Sequence, residues 1–283
     1  MKLGTRNFKI MQRKKVGLAL SGGAARGFAH LGVLRVLAEH KIPIDFIAGT
    51  SAGSIVGAAF ACGLNVDQII EIGKKMSWFK VSGFPYSAKG LLSNAPMGEL
   101  LKQSLPFQNI EDLPIPFAAV ACALETGEEV VFKGKGDLAT AIRASCAIPG
   151  VFVPVEHDGK NLIDGGVVAL VPAKTVKKMG AEIIIAVDVN ACGATYWNLP
   201  TTFLGVLFQS TMMLLRNAGK SQHYRADVVV IPQIAHLRPD EIGKMDEFIK
   251  LGEEAAREKI DEIKTLVFGA ESESEIRNPK SEI

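Results

Sequence analysis

Ser51 stands between two glycines in Gly49-Thr50-Ser51-Ala52-Gly53, a G-x-S-x-G pentapeptide. A serine hydroxyl is a weak nucleophile until a tight turn lifts it clear of its neighbours and a base takes its proton. Glycines two residues to either side let an incoming strand and an outgoing helix pass without Cβ clashes, which a nucleophile turn requires. The helix N-terminus behind such a serine also places partial positive charge near a developing anion. The pentapeptide alone is a weak signal, because small residues assemble it by chance and serine is an ordinary helix N-cap. Its setting strengthens it: Asp45–Ala48 reads as a strand, and Ser54–Cys62 as a helix of small and apolar residues.

A second motif, Ser21-Gly22-Gly23-Ala24-Ala25-Arg26-Gly27, follows an apolar run and opens a helical pattern. It is no phosphate loop of the Walker type, since no Gly-Lys-Ser/Thr closes it. It fits a dinucleotide fingerprint only loosely, because Ala24 replaces the middle glycine and no carboxylate ends a second strand at the required distance. Two readings remain, a plain tight turn and an oxyanion hole in which the backbone N–H groups of Gly22, Gly23, Ala24 and Ala25 face a negative oxygen.

The third motif is Asp164-Gly165-Gly166 at the end of a short apolar run. An aspartate before glycine is common in turns. Its interest lies in what Ser51 needs, a base within hydrogen-bond reach. None of the five histidines (His30, His40, His157, His223, His236) is an obvious base from its surroundings. A serine–aspartate dyad uses none, and Asp164 is then the partner of Ser51.

The elements that must carry these motifs alternate. Val16–Leu20, Asp45–Ala48, Phe117–Ala123, Ile183–Val187 and Val228–Ile231 are nearly continuous apolar runs, as strands covered on both faces are. Between them, apolar residues recur at helical spacing, around Phe28–Ala38, Ile69–Met76 and Ile242–Ala256. The expected fold class is α/β, a three-layer α/β/α sandwich with a mostly parallel central sheet. Glu125-Thr126-Gly127-Glu128 predicts a hairpin, which makes that sheet mixed. Lys80–Ser93 carries Gly83, Pro85 and Gly90 and reads as a surface loop or lid. Met76, Trp78, Phe79, Phe84, Leu91, Leu92 and Met97 are candidates either for core packing, the first reading of each, or for the apolar wall of an acyl cleft. Phe203–Leu215 is apolar on more than one face. A buried helix, a contact with a second copy in a homo-oligomer, and part of an acyl tunnel all fit it.

Composition bounds the rest. The 283 residues carry 32 Lys and Arg against 30 Asp and Glu, a balance that argues against a nucleic-acid protein. The expected organisation is a basic arm over 1–15, one α/β domain over 16–268 and a polar tail over 269–283. Cys62, Cys122, Cys146 and Cys192 are scattered, without a C-x-x-C pair, and read as buried thiols in a reducing, cytoplasmic setting. The arm is basic, but no signal-peptide pattern follows it, and the longest apolar stretch falls short of the ~20 residues a membrane span needs. The arm reads first as a solvated tail, and alternatively its cations would favour peripheral contact with an anionic membrane. No metal-ligand cluster or calcium loop is visible, so neither a metal nor a cofactor is expected.

Together these motifs resemble the patatin-like phospholipases, in particular the bacterial branch related to neuropathy target esterase, over about Val16 to Val189. The family's G-G-x-x-R-G loop is matched by Gly22, Gly23, Arg26 and Gly27. Its G-x-S-x-G turn is matched by Gly49, Ser51 and Gly53, its A-S-x-A-x-P block by Ala144, Ser145, Ala147 and Pro149, and its D-G-G motif by Asp164, Gly165 and Gly166. The resemblance implies hydrolysis of fatty acyl esters by a Ser51–Asp164 dyad, with Gly22–Ala25 holding the oxyanion and Arg26 orienting that loop. Two positions depart from the family. Ala24 stands at a frequent third glycine, where it supplies an N–H if its φ is negative, and Ala169 stands where asparagine is usual. The competing classes are a non-catalytic lipid- or protein-binding relative of the same fold and a nucleotide-binding oxidoreductase.

Overall fold

The computed structural model describes residues 13–84, 89–195 and 201–269. The basic arm before Arg13, the tail after Gly269, and the side chains of Trp78, Phe79 and Phe203 lie outside the described residues. The strands are β1 (Val16–Leu20), β2 (Phe46–Thr50), β3 (Phe117–Ala123), β4 (Glu129–Lys133), β5 (Val155–His157), β6 (Lys160–Asp164), β7 (Ile183–Val187) and β8 (Val228–Val230). The helices are α1 (Ala29–Glu39), α2 (Ala52–Ala61), α3 (Val66–Lys75), α4 (Trp78–Val81) and α5 (Ala95–Ser104). They continue with α6 (Leu138–Ser145), α7 (Gly166–Ala169), α8 (Ala173–Met179), α9 (Phe203–Lys220) and α10 (Met245–Phe268).

One eight-stranded sheet runs through the molecule in the order β5-β6-β3-β2-β1-β7-β8, with β4 paired to β3. The run from β3 to β8 is parallel, and β4, β5 and β6 pair antiparallel. The fold is therefore the mixed, three-layer α/β arrangement expected. Alternation along the strands decides what each face accepts. Leu18, Leu20, Ile47 and Phe117 point into a large core with α1, α2, α6 and α10. The intervening Ala19, Ala48, Ala118 and Ala186 point the other way, and their small side chains let Val176 of α8 lie close against the sheet.

Two strands end face to face. β3 has three partners and only two edges: β2 bonds it over Phe117–Val120, β6 over Ala121–Ala123, and β4 over Ala118–Cys122. Because β4 overlaps both of the others, β2 and β6 must share the opposite edge. They approach along it from opposite directions, Thr50 opposite Val120 and Asp164 opposite Ala121. The residues that follow β2 and those that close β6 are thus delivered to one point by consecutive residues of β3.

Details of the elements differ from expectation for local reasons. β2 begins at Phe46, since the carboxylate of Asp45 accepts from the Val16 N–H at 2.7 Å and from Arg13. The Glu125–Glu128 hairpin is present, joining β3 to β4 with Gly127 at φ +71°. The lid segment holds the short α4 and a bridge between Gly83 and Ser93, while Pro85 and Tyr86 fall outside the described residues. Among the described residues no helix is long and apolar enough to cross a membrane.

Candidate active site

The turn after β2 holds Ser51 at φ 51°, ψ −125°, a left-handed backbone that a side-chain-bearing residue seldom adopts. Ser51 occupies the N-cap position of α2, yet its side chain caps no helix N–H. The ordinary capping role is thereby set aside: the hydroxyl is turned out of the helix. Its backbone N–H donates instead to Ser145 Oγ at 2.9 Å, so the serine of the A-S-x-A-x-P block clamps the turn from α6. The flanking glycines are required by close approach. A Cβ on Gly49 would lie 2.3 Å from the Gly53 carbonyl oxygen, and one on Gly53 would lie 2.2 Å from that of Leu20.

Asp164 arrives from β6, buried, and its carboxylate lines the same cavity as Ser51. Desolvation pushes its pKa up to about 6, against the opposing pull of the nearby Ser51 hydroxyl and of the Gly166 N–H. The Gly166 N–H donates to Oδ1 at 2.8 Å, and the Asp164 N–H is tied to the Ala147 carbonyl at 2.9 Å. Ala169, at the usual asparagine position, braces the same turn through its backbone, its carbonyl accepting the Thr50 hydroxyl at 2.7 Å. Among the described residues no histidine lines either cavity that Ser51 borders. His157 neighbours Asp158 in the β5–β6 hairpin. His30, fully buried, has its pKa lowered to about 4 by burial and donates Nε2–H to the Ser21 carbonyl at 2.9 Å.

The glycine loop lies beside Ser51, but it differs from expectation in two ways. Gly22 N–H donates to the Leu170 carbonyl at 3.1 Å and Ala25 N–H to the Pro239 carbonyl at 2.9 Å, so neither can serve an oxyanion. Only the Gly23 and Ala24 N–H groups remain uncommitted of the four. Ala24 adopts φ +50° instead of a negative φ, yet its N–H has no protein acceptor among the described residues, so the sign of φ does not remove it as a donor. The loop is pinned from several directions. Arg26, buried, reaches the carbonyls of Leu237 and Gly193 at 3.1 Å each, which suits an orienting part. Asn190 Nδ2 donates to the Gly22 carbonyl at 2.6 Å. Asp188 in turn receives the Asn190 N–H at 2.8 Å and lies 2.7 Å from His223 Nε2.

Asp188 and Asn190 were not singled out from sequence. The signal was there, since they follow β7, and β1 and β7 flank the point where strand order reverses, at whose carboxyl edge ligands bind in open α/β sheets. Gly23→Ala is expected to lower kcat/KM by about 100-fold or more, the scale of one lost oxyanion donor. Its Cβ would meet the stiff, buried Val189 Cγ2 at 2.4 Å and displace the loop. Steady-state kinetics alongside a circular dichroism melt would check this, and unchanged kinetics would remove Gly23 from the site.

Ser51 borders two cavities. One, of about 120 Å³, is lined almost wholly by apolar groups, among them Phe28, Ile55, Met76, Val81, Met97 and Phe152. The other, of about 570 Å³, is shared by Ser51, Asp164, Gly23 and Ala24 and extends to α9. Of the apolar wall candidates, Met76 and Met97 line the first and Leu91 the second, while Phe84 is 92% exposed. Thr211, Met212 and Leu215 of α9 line the larger cavity, beside Ser51 and Asp164.

The patatin-like phospholipase family model matches residues 18–177, more than half of the sequence. The chain belongs to that family. It is 38% identical over 183 residues to an uncharacterized NTE family protein of Mycobacterium tuberculosis, covering 64% of this chain and 50% of the relative. It is 29% identical over 284 residues to the lysophospholipase NTE1 of Candida albicans, covering 86% of this chain and 20% of that protein. The chain thus spans about half the length of the mycobacterial relatives and a fifth of the yeast one. The fold is similar to that of VipD from Legionella pneumophila, with a TM-score of 0.62 at 13% identity over 89% of this chain and 67% of that one.

Proposed function

We propose that this patatin-like chain is a serine esterase that cleaves acyl esters of lipids, with Ser51 as nucleophile and Asp164 as its base. The observation that carries the reading is the strained Ser51 turn aimed at a buried carboxylate whose pKa lies near 6. In the first half-reaction Ser51 Oγ bonds to the ester carbonyl carbon while its proton passes to Asp164. The negative oxygen is received by the Gly23 and Ala24 N–H groups. As the C–O bond to the alcohol breaks, Asp164 returns the proton to the departing oxygen. In the second half-reaction Asp164 takes a proton from water, the water oxygen attacks the acyl-serine, and the fatty acid leaves as Ser51 regains its hydrogen.

The apolar cavity suits an acyl chain, at about 0.8 kcal/mol per buried methylene. Exposed Leu91, Met213 and Leu214 lie on the segments that line the larger cavity, supporting delivery of substrate from a lipid surface. We take 16–268 as one hydrolytic unit, since the sheet begins at Val16 and α10 packs on α1.

A fluorophosphonate probe tests the reading directly. We expect covalent labelling at neutral pH, with the mass increment mapping to the Ser51 peptide. An intact, folded protein that takes up no probe would instead favour the non-catalytic lipid- or protein-binding relative.

A further inference from the structure

Arg216 on α9 borders the same large cavity as Ser51 and Asp164. Among the described residues it has no ion-pair partner, and its Nε is buried without a hydrogen bond. The two carboxylates that line this cavity with it are engaged: Asp240 receives Arg238 through both oxygens at 2.9 Å, and Asp164 receives the Gly166 N–H at 2.8 Å. The guanidinium is nonetheless seated. It packs against Gly193, where even an added Cβ would lie at ordinary contact distance, 3.4–3.6 Å, from three guanidinium atoms. A second, smaller hollow of about 80 Å³ is also bordered by Arg216, together with Arg26 and Asn190.

A half-buried cation without a counter-charge is unfavourable unless something supplies the charge. The planar fork of an arginine matches the oxygens of a phosphate, giving charge-assisted bonds that neutral groups cannot. We propose that Arg216 is a specificity-determining residue that binds the phosphate of the substrate's alcohol portion, making phosphate-bearing glycerolipids the preferred esters over neutral ones. This rests on the esterase reading of Ser51. The two cavities then divide the substrate: the acyl chain enters the apolar one, and the glycerophosphate lies in the one that Arg216 borders.

The test compares a lysophospholipid with the monoacylglycerol carrying the same acyl chain, in the intact protein and in Arg216→Gln and Arg216→Lys. The ratio of their kcat/KM values is expected to fall about 100-fold in Arg216→Gln, the scale of charge-assisted hydrogen bonds, and less in Arg216→Lys. A ratio that stays the same, including equal loss on both substrates, overturns the proposal. Calorimetric binding of sn-glycerol 3-phosphate supplies a readout independent of hydrolysis, and it should weaken in Arg216→Gln. An intact protein that binds glycerol phosphate through Arg216 yet cleaves neither lipid would keep the anion site and sink the esterase reading. Inorganic phosphate bound as tightly as glycerol phosphate would mark a free-phosphate site and overturn the lipid assignment.

Discussion

Asp164→Asn is expected to abolish turnover and, above about pH 6, to make the folded chain more stable. The carboxylate is 6% exposed, and desolvation raises its pKa to about 6. The native state therefore holds this proton more tightly than the unfolded chain, whose aspartates titrate near ~3.9. As pH rises from about 4 to about 6 the folded form loses stability relative to the unfolded one, and above the folded pKa the whole penalty persists. Two units correspond to at most about 3 kcal/mol. An asparagine of the same shape has no charge to desolvate, and its carbonyl can still accept the Gly166 N–H, so the gain should be full at pH 8 and absent near pH 4. Without a base, kcat should fall about 10⁴-fold. In the unaltered protein, kcat/KM should rise with pH and level off above about 6, as Asp164 becomes able to accept a proton. Urea titrations at pH 4, 6 and 8 with parallel kinetics would check both arms. A variant that is less stable at pH 8, or that keeps near-normal turnover, would show that Asp164 is not the desolvated base.

Ser51→Ala and Ser51→Gly should each reduce kcat by about 10⁴-fold or more, and the glycine variant should be the more stable of the two. Removing the hydroxyl takes away the acyl acceptor in both. The difference lies in the backbone. At φ 51° alanine keeps the left-handed strain, which is typically about 1–3 kcal/mol, whereas glycine is released from it. Glycine gives back about 0.4–1 kcal/mol through the greater freedom of its unfolded chain. A net advantage of about 1 kcal/mol for glycine is expected, opposite to the usual order within a helix or strand. Thermal and urea denaturation of the pair would measure it. If alanine proved the more stable, the turn would not be strained in solution.

Much of this was legible in the residues, and where it was not the causes are physical. β1, β3 and β7 are continuous apolar runs because both faces of the sheet are covered, and their bounds agree with the run lengths. Ser51 and Asp164 could be paired by eliminating histidines, but not placed, since their meeting depends on where β2 stops along β3. The loop amides were overcounted because the acceptors that consume Gly22 and Ala25, Leu170 and Pro239, come from distant loops. Ser145 could be matched to a motif, yet its bond to the Ser51 N–H is visible only in three dimensions. Arg216 follows an apolar stretch by a single residue, and only the depth of α9 in the cavity wall distinguishes it from a solvated surface cation.

The shared edge of β3 has a consequence for how the chain comes of age. The serine turn follows β2 early in the chain, whereas Asp164 is delivered by a strand synthesised much later, at the far end of the same rail. On the proposed dyad, a nascent polypeptide that stops before Lys160 would carry Ser51 without the carboxylate that activates it.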